Sequence, residues 1–428
     1  MDQQFPAGEP LAVAEETAPV REGWQLSTFR ALRHRNYRLY FVGQMVSLVG
    51  SWVQTTALMW LAWDLTKQSL WPGLVTAAQV VPTFLLGAWG GSLADRWPRR
   101  PLIFATQVAF LALAILLWLL TWLGQITAWQ LFAVSLGAGF VNAVDLPARL
   151  AFVMDMVGRE DLPNAVALNS LLFNTARAAG PALSAWMLSQ LTVASCFLVN
   201  ALTFVAVLFA LAAMDPSRTV AVGLRPAVPL VEAFHFLGER PALLLLLSMT
   251  GAMAFFGWPV LTLLPALAEH QLTSGHKEFS SLVSTIGFGA IAGSLLVASL
   301  NPVSRQRILL AAGILLAVLG LAGLSQVESL HWAWAFCTLL GAGLIIFLAT
   351  GQSVVQLSTA DSNRGRILGV WSMVLTGAVP LGNLAAGAAA DVWGVATVLG
   401  WQAAGLVAAA GVIGLLGTMI GGKSLPGK

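Results

Sequence analysis

The sequence predicts an all-α membrane protein with twelve transmembrane helices in two related halves, and three observations support that fold class. Hydrophobic residues make up 57% of the 428 residues and charged residues only 10%, whereas a soluble domain is nearer half apolar and a quarter charged. Apolar runs of about 20 residues, the length that crosses the hydrocarbon core, recur along the chain. Several short segments reappear about two hundred residues later, which indicates an internal repeat.

Residues 1–38 are predicted to be a cytoplasmic tail. The stretch 1–29 is acidic and contains several prolines, and it has no apolar region of the kind that a signal peptide needs. An N-terminal half of six helices, 39–213, follows the tail. Its spans are predicted at 39–63, 71–93, 101–123, 128–148, 164–189 and 192–213.

A polar linker, 214–240, is predicted between the halves. Leu230, Phe234 and Leu237 lie on one face of a short helix in this linker, which we expect to lie on the cytoplasmic membrane surface. The C-terminal half, 241–419, precedes a short cytoplasmic tail, 420–428. Its spans are predicted at 241–268, 280–300, 307–325, 330–352, 366–390 and 395–419.

The distribution of basic residues predicts the orientation. Lysine and arginine concentrate in the segments that lie on the same side as both termini, and only Lys67 and Lys277 fall on the other side. Both termini are therefore expected in the cytoplasm of a bacterial cell, with the chain crossing the inner membrane many times. Tryptophans cluster towards the far side, where we expect them to be interfacial anchors: Trp60, Trp63, Trp71, Trp122, Trp129, Trp332, Trp334 and Trp393.

The internal repeat is visible in three pairs of short segments. The sequence LGAG at 136–139 recurs at 340–343, and GSL at 91–93 recurs at 293–295. In the fifth span of each half, GPALS at 180–184 matches VPLGN at 379–383. Parallel repeats around a site at the membrane midplane are common in secondary transporters.

The segment GSLADRWPRRP at 91–101 concentrates charge between two apolar spans. It resembles the Gly-x-x-x-Asp-Arg-x-Gly-Arg-Arg signature of the major facilitator superfamily, with Pro98 at the second glycine. Longer stretches, such as FRALRHRNYRLYFVGQMVSLVGSWVQ and VGREDLPNAVALNSLLFNTARAAGPAL, resemble its transmembrane secretion effector branch, which includes enterobactin exporters and macrolide-type efflux pumps. The resemblance covers about 28–415 and implies a secondary active exporter.

Five residues are predicted to form a gate on the cytoplasmic side: Gly91, Asp95, Arg96, Arg99 and Asp145. Gly91 has no Cβ and allows a close helix approach. Asp95 at a helix end suits the positive N-terminus of span eleven near Arg366, and Arg99 is expected to reach Asp145. The alternative is that the arginines of this loop only fix the topology.

Eight residues are candidates for lining a substrate cavity: Gln44, Ser51, Gln54, Asn174, Arg177, Gln352, Gln356 and Asn383. Arg177 is the one basic residue inside a predicted span, and it shares a helical face with Asn174. A charge deep in a span normally faces a cavity or a partner, and an arginine there suits an anionic substrate. The alternative for each polar residue is ordinary hydrogen bonding between helices.

Enzymatic and nucleic-acid functions are not expected. The chain contains no zinc-protease, nucleophile-elbow or P-loop motif, and a net charge of +3 gives no reason to expect nucleic acid. No cofactor and no metal are predicted, and Cys196 and Cys337 are read as small buried hydrophobic residues.

The predicted function is export of a small organic molecule, such as a siderophore or drug, by a monomer in the lipid bilayer. The resemblance, not the residues, implies protons as the coupling ion. The alternatives are a non-transporting membrane sensor or scaffold that kept the fold, and a lipid or lysolipid translocator.

Overall fold

The computed structural model describes residues 29–215, 237–238, 240–270, 272, 276–300, 302–359 and 361–421, and within them it contains helices and no strand. A short 3₁₀ turn, Arg30–Arg33, precedes the first helix. The α-helices are α1 Arg35–Thr66, α2 Leu70–Arg96, α3 Arg99–Trp122, α4 Ala128–Gln190, α5 Val193–Ala212, α6 Pro241–Ala252, α7 Val260–His270, α8 His276–Ser299, α9 Pro302–Ser325, α10 Leu330–Ser358, α11 Asp361–Trp393 and α12 Val395–Gly421.

The all-helical membrane fold is confirmed, and its number of spans is close to the predicted twelve. Eleven segments in the described part of the chain are helical, long and apolar enough to cross a membrane. The one predicted span that is not among these eleven is the fifth, 164–189, which lies in the second part of α4, after Gly158. It does not meet the same criterion because asparagine, serine and arginine lower its apolar content.

The connection predicted at 149–163 is helical on both sides of a break at Gly158, and it is not an irregular loop. The helix is kinked at Gly158, whose φ of 73° and ψ of −179° lie in a positive-φ region that glycine adopts without strain. The segment stays helical because its apolar face, including Phe152 and Met156, is buried against Ala31 and Tyr37. Packed structure therefore begins before residue 38, and the exact domain boundaries stay a prediction.

Span seven is interrupted instead of continuous. Helix α6 ends in a π-helical turn, Met253–Gly257, and α7 resumes after Pro259. A π turn is a local irregularity that is frequent at functional sites, and proline removes a helical hydrogen bond. The break lies against α11, since a Cβ on Gly382 would come within 2.3 Å of the Phe255 carbonyl oxygen.

Glycines allow two equivalent close helix pairs, one in each half. A Cβ on Gly139 would lie 2.5 Å from the Ala78 carbonyl oxygen, so α4 contacts the backbone of α2. In the C-terminal half, a Cβ on Gly341 would lie 2.1 Å from the Ile286 carbonyl oxygen, which pairs α10 with α8. The second helix of each half thus packs on the fourth span in the same manner, as the repeat predicts.

The halves contact each other through α2 with α11 and through α4 with α8. A common hydrophobic core joins them only at one end of the bundle, where Trp60 and Trp63 of α1 pack among residues of α7, α8 and α12. We call this the closed end. At the other end, which holds the segment 91–101 and is called here the motif end, each half has a separate core.

The predicted surface helix of the linker lies largely outside the described residues, and so do Leu230 and Phe234. Leu237 is described, and it is buried against Leu243, Val355 and Ile367 of the C-terminal half. The two cysteines, Cys196 and Cys337, are free and buried as predicted.

Candidate functional site

Polar contacts across the closed end converge on Glu269, at the end of α7. Its carboxylate accepts a hydrogen bond from the indole Nε1 of Trp63 at 2.6 Å and pairs with the Lys67 ammonium at 3.0 Å. Lys67 also contacts Asp64 at 2.9 Å. Burial by itself lowers the pKa of Lys67, but its hydrogen bonds with Asp64 and Glu269 outweigh that effect, and the pKa is raised above its ordinary value.

A second link joins α11 to α2. The carboxylate of Asp391 accepts hydrogen bonds from the backbone N–H groups of Ser69 at 2.5 Å and Leu70 at 3.1 Å. These N–H groups lie at the start of α2 and have no partner within the helix. The negative charge also faces the positive end of the helix dipole, so Asp391 stabilises the contact between the halves.

The closed end is sealed by an apolar layer beneath these polar links. Trp63 and Trp60 are only 2% and 6% exposed, and the Trp60 ring lies 5.6 Å from that of Phe279 on α8. The prediction that these two tryptophans anchor the protein in the membrane interface is therefore wrong. Trp122 and Trp129, which are 66% and 70% exposed, have the exposure that the prediction requires.

A cavity of about 90 Å³ lies directly under the apolar layer, on the side of the motif end. Its wall comes from both halves: α1 contributes Trp52, Thr56 and Met59, and the break after the π turn contributes Trp258. Helices α8 and α10 complete it, chiefly with Ile286, Ile291, Leu344 and other apolar residues. No charged side chain of the described residues lines it.

At the motif end, the segment 91–101 makes its ordered contacts within the N-terminal half. Arg99 pairs with Asp155 of α4 at 2.5 Å, and both side chains are about nine-tenths buried. Arg100 donates to the carbonyl oxygens of Leu211 at 3.0 Å and Ala212 at 3.2 Å, at the end of α5. The expected Arg99–Asp145 contact is therefore wrong in this conformation.

The first three residues of the predicted gate are placed as follows. Asp95 and Arg96 are exposed, and neither makes an ion pair with another described residue. The side chain of Arg366, the expected neighbour of Asp95, lies outside the described part of the structure. A Cβ on Gly91 would lie 3.9 Å from the Pro147 Cβ, an ordinary contact, whereas a Cβ on Gly90 would clash with the Ala143 carbonyl oxygen. Gly90, not Gly91, is the close-approach glycine.

Asp145, the fifth gate candidate, belongs to a buried polar cluster inside the N-terminal half. Its carboxylate is fully buried and accepts hydrogen bonds from Thr106 at 2.6 Å and Gln107 at 3.0 Å, both on α3. Its other oxygen lies 2.7 Å from Nε of Arg149, one helical turn along α4. The sequence analysis places Arg149 in a loop, so this cluster between α3 and α4 is a feature that sequence reasoning missed.

Three of the predicted cavity residues bind other protein groups. Gln44 is 2% exposed and accepts a 2.9 Å hydrogen bond from Arg149. Gln54 accepts from Asn200 at 2.8 Å, and Asn383 donates to Thr76 of the other half at 3.1 Å. For these three, the alternative of interhelical hydrogen bonding describes the observed conformation.

The remaining cavity candidates have mixed outcomes. Ser51 is half-buried and donates to the Ser47 carbonyl oxygen within α1 at 2.9 Å, while Gln352 and Gln356 are exposed on α10. Arg177 and Asn174 lie on α4, but their side chains are outside the described part of the structure. Their role in a cavity stays a prediction.

Comparison with known proteins decides the family. The model of the transmembrane secretion effector family matches residues 26–421, nearly the whole chain. The chain belongs to that family. The family is part of the major facilitator superfamily, and this transmembrane secretion effector is accordingly a multi-pass membrane transporter of small molecules and not an enzyme.

Relatives of this transmembrane secretion effector include siderophore transporters. It is 25% identical to the staphyloferrin A transporter of Staphylococcus aureus over 84% of this chain and 90% of that protein. It is 26% identical to the enterobactin exporter EntS of Shigella flexneri over 82% of this chain and 84% of that protein.

Solved structures share its fold at low sequence identity. A bacterial homologue of the human lysosomal transporter Spinster, in an inward-facing and unoccupied conformation, superposes with a TM-score of 0.70 and 14% identity over 95% of this chain and all of that chain. A POT family transporter gives a TM-score of 0.68 and 12% identity, and covers 92% of this chain and 99% of that chain.

Proposed function

We propose that this chain exports a small organic molecule of the siderophore or drug class across the bacterial inner membrane, by alternating access and against protons. The observation that carries the proposal is the asymmetry of the bundle. The two halves share one core at the closed end and have separate cores at the motif end. A chain held in this way presents a cavity to one side of the membrane only.

The closed end faces the periplasm in this proposal, and both termini lie in the cytoplasm. The motif end carries Arg96, Arg99 and Arg100, while Lys67 and Lys277 are the two lysines or arginines among the described residues of the closed end, and basic residues favour the cytoplasmic side. Substrate would then enter from the cytoplasm, reach the cavity beneath Trp60, and leave when the contacts of Glu269 and Asp391 separate.

Impermeant thiol labelling of intact cells tests the orientation. Gln68→Cys places a thiol on an exposed residue of the closed end, and Arg96→Cys places one on an exposed residue of the motif end. We expect labelling at position 68 and none at position 96 until the membrane is permeabilised. The opposite pattern would reverse the orientation and turn the export proposal into one of uptake.

The named cargo of the relatives guides the choice of substrate. The relatives are described as an enterobactin exporter and a staphyloferrin A transporter, so siderophores are the first class to test. An anionic substrate would also suit Arg177 of α4, the basic residue predicted for the cavity, because a guanidinium pairs with carboxylates in a planar, two-bond geometry.

Accumulation in inside-out membrane vesicles tests the function directly. Enterobactin, staphyloferrin A and ethidium are offered separately to vesicles with an acidic interior, with and without a protonophore. We expect at least one of them to accumulate only in vesicles that contain this protein, and the protonophore to abolish that accumulation. Accumulation that survives the protonophore would contradict proton coupling, and no accumulation of any of the three would contradict the substrate class.

A further inference from the structure

The cavity under the closed end combines an apolar wall with two tryptophans, one from each half. Trp52 comes from α1 and Trp258 from the break between the π turn and α7. Trp52 lies about 21 Å along α1 from Thr66 and about 26 Å from Arg35, by the rise of a helix. The cavity is therefore close to the middle of the membrane, where transporters of this architecture bind substrate.

The two indoles are held in place by packing contacts. The backbone of Trp52 is fixed by α4, since a Cβ on Gly180 would come within 2.3 Å of the Trp52 Cβ, and its ring contacts Phe173 edge-on at 6.1 Å. Trp258 packs against the core of the closed end. Among the described residues, no group accepts a hydrogen bond from either indole N–H.

The size and lining of the cavity restrict what it accepts. A volume of about 90 Å³ is well below the roughly 300–1,000 Å³ of a pocket for a whole drug-sized molecule. It suits one ring-sized group, with the rest of the molecule extending towards the motif end. Among the residues that line it, Thr56, Ser294 and the two tryptophans are the ones whose side chains carry a polar group.

We propose that this cavity is the part of the substrate site that takes an uncharged aromatic ring bearing a hydrogen-bond acceptor, held by Trp52 and Trp258. Indole rings attract other aromatic rings through offset and edge-to-face contacts beyond what area burial gives. The absence of charge among the described lining residues disfavours an ionised group here, because an unpaired charge in an apolar site is strongly unfavourable.

The site also connects binding to the conformational change. Trp52 belongs to the N-terminal half and Trp258 to the C-terminal half, so a ring between them contacts both halves at once. Met59 and Val260, which line the same cavity, are part of the core that seals the closed end. Opening that end moves one indole relative to the other, which disrupts the site and favours release.

Saturation-transfer NMR on the full chain in nanodiscs tests the proposal with phenol and cyclohexanol, which share size and hydroxyl group and differ in aromaticity. We expect phenol to bind this protein at least about threefold more tightly than cyclohexanol, and Trp52→Leu and Trp258→Leu each to weaken phenol about three- to tenfold, the range given by aromatic pairing. Trp258→Phe should keep phenol affinity within about threefold of the wild type.

Two controls separate the site from general effects. Empty nanodiscs report partition into lipid, and Trp122→Leu removes an indole that is 66% exposed and far from the cavity, so it should change nothing. Melting temperatures of all variants identify any that fail to fold, and Trp52→Leu and Trp258→Leu each test the site independently. Equal binding of the two probes, or phenol binding that survives both leucine substitutions, would overturn the proposal.

This inference rests on the proposed transport function, but its test measures phenol binding at equilibrium without any gradient. A failure of the aromatic site would leave vesicle accumulation unchanged, and a failure of proton-driven accumulation would leave the phenol measurement unchanged.

Discussion

Asp391 accepts a hydrogen bond from the backbone N–H of Ser69 at 2.5 Å, which connects the end of α11 to the start of α2. The sequence predicts the reverse relationship at the motif end, where Asp95 at the end of α2 is expected to face the start of α11. A carboxylate that faces a helix N-terminus would then link the same two helices at either end of the bundle. The closed end would be linked in one conformation and the motif end in the alternate one. The Asp391 link is observed; the Asp95 link stays a prediction.

Asp391→Asn should weaken the closed end. The neutral amide loses the attraction between the carboxylate and the helix N-terminus, which is worth about 1 kcal/mol, or about fivefold in the ratio of open to closed forms. Spin labels on cysteines at Gln68 and Val392, two exposed residues beside the link, report the opening as a longer distance. The labels require a background in which Cys196 and Cys337 are replaced by alanine.

Asp64→Asn is the matched control for that measurement. Asp64 contacts Lys67 within its own half, so its neutralisation removes a charge at the closed end without breaking a link between the halves. An equal shift in both variants would show that net charge, and not the Asp391 cap, holds the end closed.

Asp95→Asn and Asp155→Asn should separate gating from folding. Asp95 is exposed, so its neutralisation is expected to leave the melting temperature unchanged and to slow transport. Asp155 pairs with Arg99 in a nearly buried contact, and removing one partner of such a pair costs on the order of 3 kcal/mol. Thermal unfolding and vesicle accumulation of both variants check this; wild-type transport by Asp95→Asn would mean that the arginines of this segment only fix topology.

The buried cluster around Asp145 should behave as one electrostatic unit. Arg149→Met leaves the fully buried carboxylate without its cation, and we expect strong destabilisation, on the order of 3 kcal/mol. Adding Asp145→Asn should recover most of that loss, because the double variant no longer buries an unpaired charge. Unfolding measurements on the two single variants and the double variant give the coupling; additive losses would contradict the pairing.

The closed end should be stable from neutral to moderately alkaline pH and should weaken only above that range. The pKa of Lys67 in the closed form lies above its ordinary value of 10.5, so closing favours the protonated ammonium. That contribution is complete below the ordinary pKa and is lost as pH rises through the raised one. Because Lys67 is half exposed, the effect on the open-to-closed ratio should be at most about fivefold.

The same spin-label pair measures that pH dependence. Lys67→Met is the control, and it should abolish the alkaline component of opening. A transition between pH 7 and 9 that persists in Lys67→Met would assign the pH response to another group.

Hydropathy predicted the helices that are apolar from end to end. The spans expected at 192–213 and 395–419 match α5 at Val193–Ala212 and α12 at Val395–Gly421. It failed at 149–163, where an amphipathic segment buries Phe152 and Met156 in a core with Ala31 and with Tyr37 of α1. An average over a window detects apolar content and is insensitive to one buried face.

The site was less predictable because its contacts join residues that are far apart in sequence. Trp63 and Glu269 are 206 positions apart, and nothing local separates a tryptophan at the membrane interface from one in the core between the halves. One signal was available, because charged residues make up only 10% of the chain. Glu269 and Asp391 stand at helix ends on the same side as Lys67, which suggests a charged cluster between the halves. The π turn before Trp258 has no comparable signature beyond Pro259.

Cross-linking the closed end tests alternating access most directly. Cysteines at positions 68 and 392, joined by a short bifunctional methanethiosulfonate through reducible disulfide bonds, would hold α2 against α11, while a pair at 64 and 68 carries the same reagent within one half. Transport of whichever of enterobactin, staphyloferrin A or ethidium accumulates in vesicles is then measured before and after reduction. We predict that only the 68–392 link abolishes transport and that reduction restores it; full transport through a closed end that stays cross-linked would contradict the account.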